Sequence, residues 1–220
     1  MGDAKRRGTR EERIAQAKSR NVLEAKPPRA PSQKEITQLV GKARELDPLI
    51  ASLTTPTTIN DQISQFAQQL GGGAPMFLEC QPEPWSRQSC CDLNVAKYIE
   101  THGGRAMAGY RIWYAEPRYI EGERHAVWTD GNNIRDVSFV DTGETTTVFV
   151  PDELGFDDAP AKVRFVFEER DKQALEAFET LSAAMPFKKM SDSDAWATYP
   201  TYERWRAGER MPNILPVVNW

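Results

Sequence analysis

The apolar residues of this chain change their period near residue 103. Up to about residue 102 they recur at helical spacing. From Arg105 to about residue 170 they gather in short aromatic and β-branched runs divided by turn residues. Helices first and a meander of strands afterwards argue for an α+β fold with an antiparallel sheet. At 220 residues the chain is long enough for one sizeable core, or one core with appended arms.

Before that change, the stretch 32–53, "SQKEITQLVGKARELDPLIASL", sets Ile36, Leu39, Val40, Ala43 and Leu46 on one face, with Ser32 and Glu35 in capping-box positions. It predicts an amphipathic helix ending near Pro48. "TTINDQISQFAQQLGGGAP" repeats the pattern with Ile59, Ile63, Phe66 and Leu70 and a glycine stop. After it, "RAMAGYRIWYAE", "GERHAVWTD", "NIRDVSFV", "TTTVFVP" and "KVRFVFEER" read as strands, and "DKQALEAFETLSAA" as a helix. The expected organisation is a basic arm and Pro-rich linker over 1–31, an amphipathic helix over 32–56, the main domain over 57–187, and a Trp-rich C-terminal wrap over 188–220.

Charge is divided unevenly. Residues 1–34 hold ten Lys or Arg against four acids, +6, and the remainder eighteen against twenty-eight, −10. Such an arm is either a solvated tether or a contact for an acidic partner or nucleic acid. No apolar run approaches the roughly 18 residues that span a bilayer, and "MGDAKRRGTREER" lacks the apolar segment of a secretory signal. Arg6 stands where a myristoylation pattern needs Ser or Thr. The expectation is a cytoplasmic protein that makes no use of membranes, with its three cysteines reduced. "GGGAP" lacks the lysine and following helix of a phosphate loop.

Two of the three cysteines are neighbours, in "SRQSCCDLNVAKYIETHGG". With Ser89 as N-cap, Cys90 and Cys91 are the first two residues of a helix, where the positive end of the macrodipole favours thiolate. Cys91 shares the apolar stripe of Val95, Tyr98 and Ile99, while Cys90 shares the polar face of Asn94 and Lys97, so Cys91 is the one directed at the strands. A buried packing cysteine would occupy the same stripe.

The strand-borne histidine decides between those uses. In "HAVWTDGNNIRDV", Asp130-Gly131 is a strong signal for a two-residue hairpin loop, which pairs His125 directly with Asp136. A carboxylate opposite an imidazole, facing a helix-start cysteine, makes a Cys91-His125-Asp136 triad of nucleophile, base and orienter. A longer loop would pair Val127 with Asp136 and bring in Asp141 or Asn132 as competing orienters. For the oxyanion, the Cys91 backbone N–H and either Gln88 or Gln81 are candidate donors. Trp113 and Trp85 are candidate cleft walls. Glu123, on the His125 face, is a candidate for a basic substrate group.

The residues "CDLNV", "YIETHGG", "GYRIW", "EGERHAVW" and "DGNNIRDVS" resemble an uncharacterised bacterial and phage family marked by a Cys-x-x-Asn-Val helix and a His-Ala-Val-Trp strand; the match covers about 91–139. The resemblance implies Cys91, Asn94, His125 and Asp136 as marked positions, with Tyr110 for the family's Trp and Ser138-Phe139 for its Thr-Pro as departures. The order helix Cys, strand His, adjacent-strand Asp is similar to papain-like and NlpC-type thiol hydrolases. This implies a papain-like core and a peptidase, isopeptidase or amidase acting on a protein or peptide, without cofactor or metal.

Two rivals remain at this level. Cys80, Cys90, Cys91 and His125 supply four ligand atoms, although adjacent cysteines chelate one zinc awkwardly. A non-enzymatic partner-binding protein would use the basic arm and the Trp-rich tail and keep the Cys-His pair as structure.

Overall fold

A computed structural model describes residues 32–184 and 190–211. The basic arm, its linker and the last nine residues of the tail lie outside the described residues. Residues from 39 onward belong to one compact unit, and 32–38 to another.

The helical periodicity yields α1 (Gln33–Ala43), a 3₁₀ turn (Arg44–Leu46), α2 (Asp47–Ala51) and α3 (Asp61–Gln69). The Ser32–Glu35 capping box forms, with Ser32 N donating to Glu35 Oε2 at 2.6 Å and Glu35 N to Ser32 Oγ at 3.3 Å. Pro48 does not end the helical run as its position suggested. It opens α2, in the first turn, where no intrahelical N–H is needed. α3 is capped by Asn60, whose side chain accepts from Ile63 N.

Six strands make one sheet: β1 (Met76–Glu79), β2 (Arg105–Ala115), β3 (Tyr119–Thr129), β4 (Ile134–Arg135), β5 (Thr146–Pro151) and β6 (Lys162–Val166). The order is β1-β5-β2-β3-β4, every pair is antiparallel, and β6 joins β3 along the stretch that β4 leaves free. The chain is therefore α+β with an antiparallel sheet. β1, four residues long and ahead of the cysteine helix α4 (Cys91–His102), is too short and irregular for the sequence pattern to mark. The sheet nearly closes into a barrel, because the residue after β1 and the residue after β4 meet in a parallel bridge, Cys80 with Asp136, and Gln81 N donates to Asp136 O at 2.7 Å.

Strand alternation sorts the chemistry. Arg111 pairs with Glu123 and Phe149, and Gly109 with His125, so these residues share one face. The other face carries Tyr110, Ile112, Ala126 and Trp128. Ile63 and Phe66 of α3 pack there on Tyr110 and Ile112, and Val95 and Tyr98 of α4 on Ala126 and Trp128. A third cluster joins Leu46 and Leu49 to Tyr119, Val166 and Ala174 of α5 (Glu169–Ala184). Among the described residues no helix is long and apolar enough to cross a membrane.

The C-terminal segment adds α6 (Asp192–Thr198) and α7 (Tyr202–Arg206). It is pinned to the loop ahead of α4: Gln88 N donates to Pro200 O at 3.1 Å, Tyr202 N to Ser86 O at 2.7 Å, and Arg87 Nη1 to Tyr199 O at 3.0 Å. Trp196 lies under both Arg87 and Lys97. The expected wrap is thus a specific brace on the segment that delivers Cys91.

Candidate functional site

The helix carrying the cysteines starts one residue later than expected. Cys90, not Ser89, is the N-cap, and Cys91 is the first helical residue. Ser89 instead adopts a left-handed backbone with φ 54°, uncommon for a residue with a side chain. That turn buries Cys90, which is 2 % exposed, where helical periodicity had put it on a polar face. Burial, reinforced by the neighbouring Asp92 carboxylate, pushes the Cys90 thiol up to about 12. Cys80 is likewise raised to about 12 by burial and by Asp136. Cys91 is the half-buried member of the pair, and it lines a cleft of about 670 Å³.

His125 lines the same cleft. Its Nε2 lies 2.9 Å from Asp136 Oδ2, and Arg111 Nη2 donates to that oxygen at 2.9 Å while standing 3.0 Å from Nε2. All three are buried, with Asp136 fully so. Two donors converging on one oxygen fix the ring: Nε2 carries a proton toward Asp136, and Nδ1 makes no hydrogen bond to any described residue. Asp136 is held in turn by Ser138 N, which donates to Oδ1 at 2.9 Å. Burial opposes ionisation of this carboxyl, yet His125 and Arg111 outweigh it and hold it down at about 2. Burial and Arg111 work against a proton on His125, but the Asp136 carboxylate and Cys91 lift it to about 9.

The hairpin that joins these residues differs from the expected one. Its loop has four residues, not two, because Asp130 Oδ1 accepts from Asn132 N at 2.8 Å and Asn133 N at 2.7 Å, stabilising the wider turn. Trp128 then pairs with Arg135 and Thr129 with Ile134. That register, carried one step further, sets Asp136 beside Val127 and diagonal to His125. A slip of two residues keeps every side chain on its original face, so the carboxylate still reaches the ring. Neither Asp141 nor Asn132 makes a hydrogen bond or ion pair with His125, whose partners are Asp136 and Arg111.

Other expected residues divide. Gln88 lines the cleft, is 5 % exposed, and has a buried Oε1 without a hydrogen-bond partner among the described residues. Trp113 lines the cleft as expected, and its indole Nε1 donates to Glu123 Oε2 at 3.1 Å. Glu123 lines it too, but is already engaged by Trp113 and by Lys162 at 3.6 Å. Burial opposes its charge, and Lys162 and the indole N–H prevail and keep it ionised below the usual carboxylate range. It is therefore not a free acceptor for a basic substrate group. Asn94 is fully buried and does not line the cleft. Its amide accepts from Arg87 N at 2.7 Å and donates to Arg87 O at 2.9 Å and Ser138 Oγ at 3.2 Å, tying the loop before Cys91 to the helix. Trp85 packs beside α4 with Lys97 over its ring and is not at the cleft. Gln81 sits at the barrel seam, its carbonyl taken by Arg135.

Sequence reasoning missed Arg111, which stands mid-strand in "GYRIWY" and looks like an ordinary solvated residue until β3 and Asp136 enclose it. It also missed Gly109. A Cβ there would lie 2.2 Å from Val150 O and 2.6 Å from Phe149 Cζ, so only glycine lets Phe149 cross and pack its ring edge-on to His125, 6.2 Å between centroids. A glycine inside a strand pattern was the available signal. Arg124 fastens another part of the wall: it pairs with Asp152, whose side chain is buried, and donates to the carbonyls of Leu154, Gly155 and Phe156.

Among the described residues no three His, Cys, Asp or Glu side chains converge to hold a metal ion, so Cys80, Cys90, Cys91 and His125 do not form one ligand set. No protein-family model, curated protein or solved structure matches this chain.

Proposed function

We propose that this protein is a thiol hydrolase of papain-like type, acting on an amide or ester carbonyl of a protein or peptide. The observation that carries the reading is the shared cleft of Cys91 and His125, with the far nitrogen of the ring tied to a fully buried carboxylate. Cys91 Sγ attacks the carbonyl carbon with the transferred proton held on His125 Nδ1, forming the S–C bond and an oxyanion. Asp136 keeps the ring in the orientation and tautomer this transfer needs. The Cys91 N–H, at a first helical position without an intrahelical acceptor, and the Gln88 amide are the oxyanion donors. Collapse breaks the bond to the leaving amine or alcohol, which takes the proton from Nδ1. Water, deprotonated by His125, then releases the acid and frees Cys91. Peptidase, isopeptidase, amidase and acyl-transfer outcomes share this acyl-enzyme.

Limiting iodoacetamide at mildly acidic pH tests it. Mass mapping should show Cys91 labelled first, and about 10²-fold or more faster in the wild type than in His125→Ala, the range a positioned base contributes. Equal labelling of all three cysteines would make the Arg111–Asp136–His125 trio purely structural and favour a partner-binding role for the cleft.

A further inference from the structure

Besides His125, which shares Asp136 with Arg111, the cleft is lined by three cations, and each has a carboxylate partner. Arg111 is held by Asp136, Arg124 by Asp152, and Lys162 by Glu121 at 2.6 Å. Three of its carboxylates are not matched in the same way. Asp92, Asp141 and Asp192 line it from three separate segments: the first turn of α4, the loop after Val140, and the first turn of α6. None of the three makes a hydrogen bond or ion pair among the described residues. Acids in a first helical turn complement the helix dipole, which accounts for part of the presence of Asp92 and Asp192. It does not account for Asp141, and α6 already has its cap in Ser191, which accepts from Asp194 N at 3.1 Å. The second, independent feature is Gln88. Its side chain is more than nine-tenths buried and lines the same cleft, with an amide oxygen that no described residue satisfies. A buried orphan amide is costly unless a ligand completes it, and a peptide group supplies the complementary N–H and C=O.

We infer that the cleft selects peptide substrates with a lysine or arginine side chain near the scissile bond, whose cationic end meets the uncompensated carboxylates Asp92, Asp141 and Asp192 while Gln88 engages the peptide group. This rests on the thiol-hydrolase reading and names its substrate class. Glu123, the acid that sequence alone offered for this purpose, is occupied by Trp113 and Lys162, so the selectivity belongs to the mouth of the cleft rather than to its inner wall.

The test uses the full chain and peptidyl acyloxymethyl ketones that differ only in the residue next to the reactive group: lysine, its neutral isostere norleucine, or glutamate. Alkylation of Cys91 is followed by intact mass. The lysine compound should react about tenfold faster than the glutamate compound, the sum expected of three exposed charge pairs. The gap should narrow at 1 M salt, where the screening length falls to about 3 Å. It should also collapse in the Asp92→Asn, Asp141→Asn, Asp192→Asn variant, and Asp141→Lys alone, in an exposed loop, should reverse part of it. Equal rates for the three compounds, or a fastest glutamate compound, overturn the inference. If iodoacetamide still labels Cys91 faster in the wild type than in His125→Ala, that failure leaves the hydrolase reading standing. Should no compound reach Cys91 and all thiols label alike, both fall together.

Discussion

One oxygen of Asp136 accepts from two cationic side chains: His125 Nε2 and Arg111 Nη2 each lie 2.9 Å from Oδ2, in a pocket where Asp136 has no exposed surface. A carboxylate shared in this way stabilises positive charge on both partners, while the partners repel each other. The balance has measurable consequences.

Arg111→Met should destabilise the fold by about 3 kcal/mol in urea denaturation, the lower end for removing one member of a buried ion pair, since His125 remains to serve Asp136. The same variant should raise the titration point of His125 in NMR, because a neighbouring positive charge has gone. An unchanged or lowered histidine titration would contradict the shared-oxygen geometry.

Stability should fall toward both ends of the pH scale. A histidine raised to about 9 from an ordinary 6.5 contributes fully below about 6.5, and its contribution is lost as pH rises through 9. A carboxyl depressed to about 2 from 3.8 contributes above about 4, and its contribution is lost as pH falls through 2. Urea midpoints should therefore be highest between pH 4 and 6.5 and decline from 6.5 to 9. In Asp136→Asn the alkaline decline should largely vanish; its persistence would place the titrating group elsewhere.

Gly109→Ala should disturb the site without touching any polar group. The new methyl collides with Val150 O and displaces the Phe149 ring from His125. We expect a loss of about 1–3 kcal/mol, as for overpacked cores, together with slower iodoacetamide labelling of Cys91. Normal stability with normal labelling would mean that the backbone relaxes freely at this position.

Asn94 and Gln88 should separate structure from chemistry. Asn94→Ala strips three hydrogen bonds from the loop that precedes Cys91 and should cost about 2–4 kcal/mol of stability. Gln88→Ala removes an amide whose oxygen no described residue satisfies, so stability should hold or rise slightly while turnover of an amide substrate falls about 10²-fold, as for loss of an oxyanion donor. A destabilised Gln88→Ala variant with full turnover would assign Gln88 to the structure instead.

The period change of the apolar residues was enough to determine that helices precede an antiparallel sheet, and Cys91, His125 and Asp136 stood out because helix starts and hairpins are local events written within about a dozen residues. The pairing of His125 with Asp136 was legible for an incomplete reason. The loop is two residues longer than Asp130-Gly131 suggested, and the contact survives because a two-residue slip leaves facing unchanged. What the tertiary structure alone decided is non-local. Closure of the sheet at Cys80 and Asp136, burial of Arg111 between strands, the crossing of Phe149 over Gly109, and the brace of residues 190–211 against the loop at 84–88 join segments 25 to over 100 residues apart in sequence. Such contacts depend on which surfaces the packed sheet and helices bring together, and no periodicity within a single segment encodes that.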